Sequence, residues 1–179
     1  SIHSLVAGYA RSFRLFGQLA KFDAVLPYSF GTWEGKVNQI DSSTQRIGFG
    51  DPLLRVSMML IGGPALSPVE YATHDPKNFK LGIQFRVRAP LGQYDPNKLI
   101  NLGLHRWSFK FGVGASYQIQ KFILEASAAT WIFTANQNYF GGNKLKQHPL
   151  ATLQVHGTYV FKKGLWLAAS FGGSMFGEV

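Results

Sequence analysis

The sequence predicts an all-β protein: one domain over residues 1–179, an antiparallel meander of at least eight strands forming a transmembrane outer-membrane β-barrel. The first observation is periodicity. In "NFKLGIQFRVRAPLG", Asn78 to Gly92, the residues Phe79, Leu81, Ile83, Phe85 and Val87 alternate with Lys80, Gln84, Arg86 and Arg88. Period two marks a strand with one apolar and one polar face. The second is composition: 15% aromatic residues, 20 glycines, and charged residues at only 15%, against about 25% in soluble domains. The third is the rhythm of the connections. Short turns near 119–120 and at 162–164 alternate with long polar stretches at 31–45, 92–104 and 135–148, with the 62–78 connection as the exception on the short side. Outer-membrane barrels have short periplasmic turns and longer outer loops.

The elements follow in order. A first strand covers about Leu5 to Arg11, and "SFRLFG" turns it or bulges it. The second runs from about Leu19 to Phe30, with Phe22, Ala24, Leu26, Tyr28 and Phe30 on its apolar face and Lys21 and Asp23 opposite. Residues 31–45 read as a polar loop. The third strand spans about Arg46 to Leu60 and sets Leu54, Val56, Met58 and Leu60 against Arg55 and Ser57. The "GDP" at 50–52 interrupts it with a bend or bulge, because proline lacks the ladder donor. An irregular connection at 62–78 leads to the fourth strand, which is the stretch quoted above. After loop 92–104 the fifth strand is "HRWSFKFGVGASYQ", from His105. The sixth, about Lys121 to Thr134, sets Phe122, Leu124, Ala126, Ala128, Thr130 and Ile132 against Glu125 and Ser127. A seventh holds Leu153, Val155, Tyr159 and Phe161 in line. The eighth starts at Leu165, past a "KKG" turn that needs Gly164 left-handed. No helical periodicity of useful length interrupts the strands, which excludes βαβ units.

Alternation alone does not say which face is wet. A soluble sandwich turns its apolar face inward, while a membrane barrel turns it to lipid. Two features favour the barrel. The polar faces carry small residues, such as Gly112, Gly114, Ser116, Ser127 and Ala129, where a solvated surface would carry charge. Aromatics also gather near strand ends, at Tyr28, Phe30, Trp107, Tyr117, Phe122, Tyr159 and Phe161, as in interfacial girdles. Strand enrichment of aromatics is the plainer explanation for the second. No run of 18 apolar residues suggests a membrane helix, and this leaves a barrel open. The absence of a signal-peptide pattern at the start suggests a mature or trimmed chain.

Catalysis finds no foothold. The chain has no cysteine, so disulfides and thiol chemistry are out. His3, His74, His105, His148 and His156 show no metal-ligand spacing. His156 and Ser170 fall on polar faces that could share a lumen, as many serines do. Asp51 reads as a turn contact before it reads as an ion ligand. "FGGN" at 140–143 precedes no helix, so it is a turn and not a phosphate cradle. No enzyme, cofactor or metal is expected.

The net charge of +9 comes from 18 Lys and Arg against 9 Asp and Glu. The basic residues are scattered along strands and form no tail or stripe, so no nucleic-acid partner is expected. Several share one polar face. A hairpin closed by 93–104, pairing Arg88 with Arg106, sets Arg86 against Ser108 and Gln84 against Lys110. Clustered cations are unfavourable unless water, acids or an anion offset them. The candidate ligand-binding residues are therefore Gln84, Arg86, Arg88, Arg106 and Lys110, with Arg55 and Glu125 on neighbouring polar faces. Two readings stand: an anion-attracting stretch of pore, or a wall neutralised by Asp23, Glu125 or acids elsewhere. Trp107 or Trp131 joins this face only if a local bulge turns it inward.

Four blocks carry a family resemblance: "YARSFRLFGQLAKFDAVLPYSFGTWEG" (9–35), "GFGDPLLRVSMMLIGGPAL" (48–66), "QFRVRAPLGQYDPNKLINLGLHRWSFKFGVGAS" (84–116) and "IFTANQNYFGGNKLKQHPL" (132–150). They resemble the outer-membrane β-barrel transporters associated with the meta-cleavage pathway of phenol degradation. The resemblance implies the outer membrane of a Gram-negative bacterium, with lipid and lipopolysaccharide as partners. It also implies passive transport of small hydrophobic or aromatic compounds. The basic face adds anionic aromatic solutes such as aromatic acids. A non-transporting structural or adhesive barrel is the alternative. Family members begin before Ser1 and run several strands past Val179, so the resemblance implies a chain incomplete at both ends and about 12 strands in the full protein.

Overall fold

The computed structural model describes residues 2–37, 40–74 and 77–175. Strand β1 (Ile2–Leu15) turns through Phe16 and Gly17, both at positive φ, into β2 (Gln18–Val37). β3 (Ile40–Phe49) returns along β2, and β4 (Leu53–Ile61) continues it beyond a break at 50–52. A short helix, α1 (Pro68–Thr73), precedes β5 (Phe79–Arg88). Then come β6 (Ser108–Ile119), β7 (Phe122–Phe133), a small hairpin of β8 (Asn136–Tyr139) and β9 (Asn143–Leu145), β10 (Leu150–Lys162) and β11 (Leu165–Met175). The main sheet runs β1-β2-β4-β5-β6-β7-β10-β11, with β3 also on β2. Each strand pairs antiparallel with its neighbour. Counting β3 and β4 as one interrupted strand, this is the predicted eight-strand meander. Among the described residues the sheet does not close, and β1 and β11 form its edges.

The turns behave as their residues dictate. Gln120, at φ 51°, and Gly164, at φ 82°, supply left-handed positions in the tight turns at the end shared with Phe16 and Gly17. The 62–78 connection lies at that end too. It is not wholly irregular, because Ser67 caps α1: its hydroxyl accepts from the Glu70 N–H, and the Glu70 carboxylate accepts from the Ser67 N–H. That reciprocal cap supports a helix of only six residues.

Four expectations need correction. Residues 31–37 and 40–45 are not a loop, because β2 and β3 carry the ladder through them. The 135–148 stretch is not all loop, since it holds the β8–β9 hairpin around a single 3-10 turn at Phe140–Gly142. The fifth long strand starts at Ser108 and not at His105, whose φ of 52° ends the extended run. The hairpin register is Arg88 with Ser108, Arg86 with Lys110 and Gln84 with Gly112, two residues from the predicted pairing of Arg88 with Arg106. An even shift keeps every side chain on its face, where an odd one would have reversed them all.

The cause of the shift lies at the 50–52 break. Across it the β2 partner changes from Phe49 opposite Tyr28 to Leu53 opposite Val25, a one-residue bulge. The break exposes Asp51 to the neighbouring loop. Its Oδ1 accepts from the Gly92 N–H at 2.9 Å and its Oδ2 from the Leu104 N–H at 2.8 Å. This one buried carboxylate clasps both ends of the 92–104 loop and draws the chain off the ladder after Arg88. Both Asp51 carboxylate oxygens therefore go to backbone N–H groups, and in place of the local turn contact expected of it the side chain makes a long-range clasp. Only glycine fits beside it at 92, where a Cβ would lie 2.7 Å from the Asp51 backbone nitrogen.

The sheet curves with its polar face inside. A concavity of about 940 Å³ is lined by Lys21, Ser57, Gln84, Gly114, Ser127 and Gln154, from six neighbouring strands. The convex face carries Leu54, Val56, Ile83, Phe85, Phe111 and Val113, all exposed. Its aromatics pair at two levels. Trp107, Phe109, Phe85 and Phe111 form a chain of ring contacts near the long-loop end. Phe79–Tyr117, Phe122–Tyr159 and Tyr159–Phe161 do so near the short-turn end. A greasy outside, a polar hollow and two aromatic levels are the inverted layout of a membrane barrel.

Candidate functional site

One transverse row of side chains crosses the concave face. In register, Asp23 on β2 faces Arg55 on β4, Arg55 faces Arg86 on β5, and Arg86 faces Lys110 on β6. Lys110 faces Trp131 on β7, and Trp131 faces Leu150 on β10. Directly opposed side chains have Cβ atoms roughly 4.5–5.5 Å apart, so the row places three cations side by side.

Acid reaches only one end of it. Asp23 accepts from Arg55 at 2.8 Å and from the Lys21 ammonium at 2.9 Å, which occupies both carboxylate oxygens. Glu125, the other expected neutraliser, faces Ser116 and His156 instead. It lies six residues along β7 from Trp131, roughly 20 Å away at strand rise. Among the described residues Arg86, Arg88, Arg106 and Lys110 have no carboxylate partner. The expected cluster is brought together, then, but Arg55 is matched and Glu125 stands apart. Gln84 lies one step further along the face, between Ser57 and Gly112.

Aromatic rings take the place of acids at the other end. Trp131 lies on the concave face by plain strand parity, with no bulge, because the β6–β7 register is unbroken. The Lys110 ammonium sits 5.4 Å from its ring centre and the Arg86 guanidinium 6.0 Å. Phe133, two residues on, stacks nearly parallel to Trp131, with an interplanar angle of 4°. The Arg106 guanidinium lies 4.7 Å over Phe133, and its Nη2 donates to Gln147 Oε1. Burial, and then the Arg88 charge, hold the Arg106 guanidinium below its ordinary value. Trp107 remains outside, in the convex aromatic chain. The sequence held the signal for Trp131 and Phe133, since both share the parity of Glu125 and Ser127.

His156 and Ser170 do meet, with Nδ1 to Oγ at 2.6 Å, while His156 Nε2 lies 3.1 Å from the Thr158 hydroxyl. Both ring nitrogens are thus occupied by hydroxyls. No group of three metal-ligating side chains occurs among the described residues.

The family described as "Putative MetA-pathway of phenol degradation" matches residues 4–179. The chain belongs to this family. The chain's fold is also similar to that of a solved outer membrane channel from Pseudomonas putida F1. The two superpose with a TM-score of 0.65 at 18% identity, over 94% of this chain and 59% of that channel. The chain therefore spans less than two thirds of the channel's length, and its meander has the fold of that part of the channel. A comparison with curated proteins finds no match.

Proposed function

We propose that this family member is a wall of a passive outer-membrane channel, in a Gram-negative bacterium, for small hydrophobic or aromatic compounds. The row from Arg55 to Trp131 on the concave face carries the reading. Cations placed in register without acids are costly to fold and are useful where anions pass. The convex face, apolar and ringed by aromatics at two levels, suits outer-membrane lipid with lipopolysaccharide in its outer leaflet. No nucleophile, cofactor or metal is needed for diffusion, and none is invoked. In this orientation the turns at 16–17, 120–121 and 163–164 face the periplasm.

The experiment is conductance of the full-length protein in a planar bilayer under a salt gradient. The wild type should pass anions in preference to cations. Exchanging all four unmatched cations (R86E, R88E, R106E and K110E) should swing the reversal potential toward cation selectivity. A barrel that folds but never conducts, and whose liposomes take up no solute, would favour a structural or adhesive role instead.

A further inference from the structure

A ring and a carboxylate hold a guanidinium in different ways. A carboxylate takes the in-plane N–H groups and neutralises the charge. A ring takes the flat face and leaves the five in-plane donors free. Both arrangements occur on this wall. Arg55 is consumed by Asp23. Arg106 is held face-on by Phe133, and its Nε and Nη1 have no acceptor among the described residues. The same is true of Nε of Arg86, whose guanidinium lies over Trp131 together with the Lys110 ammonium. Ser108, in register between Arg88 and Phe133, is 1% exposed, and its hydroxyl also lacks a partner. Aromatic support therefore holds these cations without an acid and leaves part of their donor set unpartnered: Nε of Arg86, and Nε and Nη1 of Arg106.

Two apolar side chains stand beside the cations. Leu150 lies opposite Trp131 and Leu53 opposite Arg88, both on the concave face. A hollow of about 320 Å³ is lined by Lys110, Gln84, Ala129, Thr152 and Gln154, at the small end of the range for ligand pockets. It adjoins the row at Lys110, whose register neighbours are Arg86 on one side and Trp131, then Leu150, on the other. We propose that this ring-backed cluster is a binding subsite for a small monocarboxylate with an apolar or aromatic body. Arg86 and Lys110 take the carboxylate, and Trp131 and Leu150 take the body. The proposal rests on the channel reading, of which it would be the selective step. A neutral phenol would leave the cations unpaired. Inorganic phosphate would set unpaired oxygens against leucine and ring.

The test is equilibrium binding of radiolabelled benzoate to the full-length protein in detergent, with acetate, phosphate and phenol as competitors. Benzoate should bind saturably and be displaced poorly by the other three. The double variant R86Q/K110Q should weaken it about tenfold or more, as expected for loss of charge-assisted hydrogen bonds. W131L should weaken benzoate far more than acetate, and W131F should restore most of the affinity. Because W131F keeps a ring of similar shape, it guards against misfolding as the cause. Phenol or phosphate displacing benzoate equally well would overturn the subsite, as would binding indifferent to R86Q/K110Q. Conductance separates the two readings. A conducting protein with no benzoate binding sinks the subsite alone. A protein that binds benzoate through these residues yet never conducts sinks the channel and keeps the subsite.

Discussion

Replacing Ile83 by Arg tests the inverted layout of the sheet at its most sensitive point. β5 runs ten residues, Phe79–Arg88. At about 3.3 Å per residue and a tilt near 40°, that covers a height of about 25 Å, the depth of a barrel's apolar band. Ile83 is the fifth of those residues, so it falls at mid-depth. It is 44% exposed on the convex face and stands in register with Met58 and Val113, so every neighbour at its level is apolar. An arginine there meets hydrocarbon and should cost about 2–4 kcal/mol, or roughly 30- to 700-fold in the folding equilibrium. Gln84 is the matched control, one residue on and facing the hollow beside Ser57 and Gly112. Arginine at 84 enters water near Arg86 and should cost less than about 1 kcal/mol. The assay is reversible guanidinium unfolding of the full-length protein in lipid vesicles, followed by fluorescence. Equal penalties for Ile83→Arg and Gln84→Arg would refute the assignment of faces and favour a soluble sandwich.

Two further outcomes follow from the same geometry. Asp51→Ala removes the acceptor for two backbone N–H groups, those of Gly92 and Leu104. It should cost about 1–3 kcal/mol and open the 92–104 loop to protease, and unchanged cleavage would show that the clasp does not hold the loop. Single cysteines at Asn138 and Lys163 lie at opposite ends of the strands. On whole cells an impermeant thiol reagent should label position 138 and spare 163, and the opposite pattern would invert the orientation.

Much of the fold was legible because period two survives in a membrane wall. Phe79 to Arg88, or Phe122 to Ile132, must segregate lipid from water at every step, and so their faces could be read directly. The 31–45 stretch defeated that logic. Beyond the apolar band both faces of a hairpin are wet, so alternation fades although the hydrogen-bond ladder continues. Register was less legible still. Nothing local to Arg88 or Arg106 says that Asp51, some forty residues before, will reach across and peel the chain from the ladder. The site followed the same division. Parity assembled Arg86, Lys110 and Gln84 correctly, but Trp131, expected inside only with a bulge, lies there by the same parity without one. Which cations Asp23 would satisfy depended on neighbours far apart in sequence.

The extra residue at 50–52 also marks where the outer hairpin parts from the band beneath. On β2 the convex positions Phe22, Ala24, Tyr28 and Phe30 are all even; their partners are even below the break, at Val56 and Leu54, and odd above it, at Phe49 and Ile47. Deleting one residue there would merge the two registers into one unbroken ladder, leaving Ile47 and Phe49 on the convex face but removing the bulge that presents Asp51 to the 92–104 loop. The same break is a seam: lengthening or trimming the hairpin by residue pairs, one from each arm, alters the mouth of the barrel without disturbing a single pairing in the band beneath. The long-hairpin end can diversify while the strand wall beneath stays fixed.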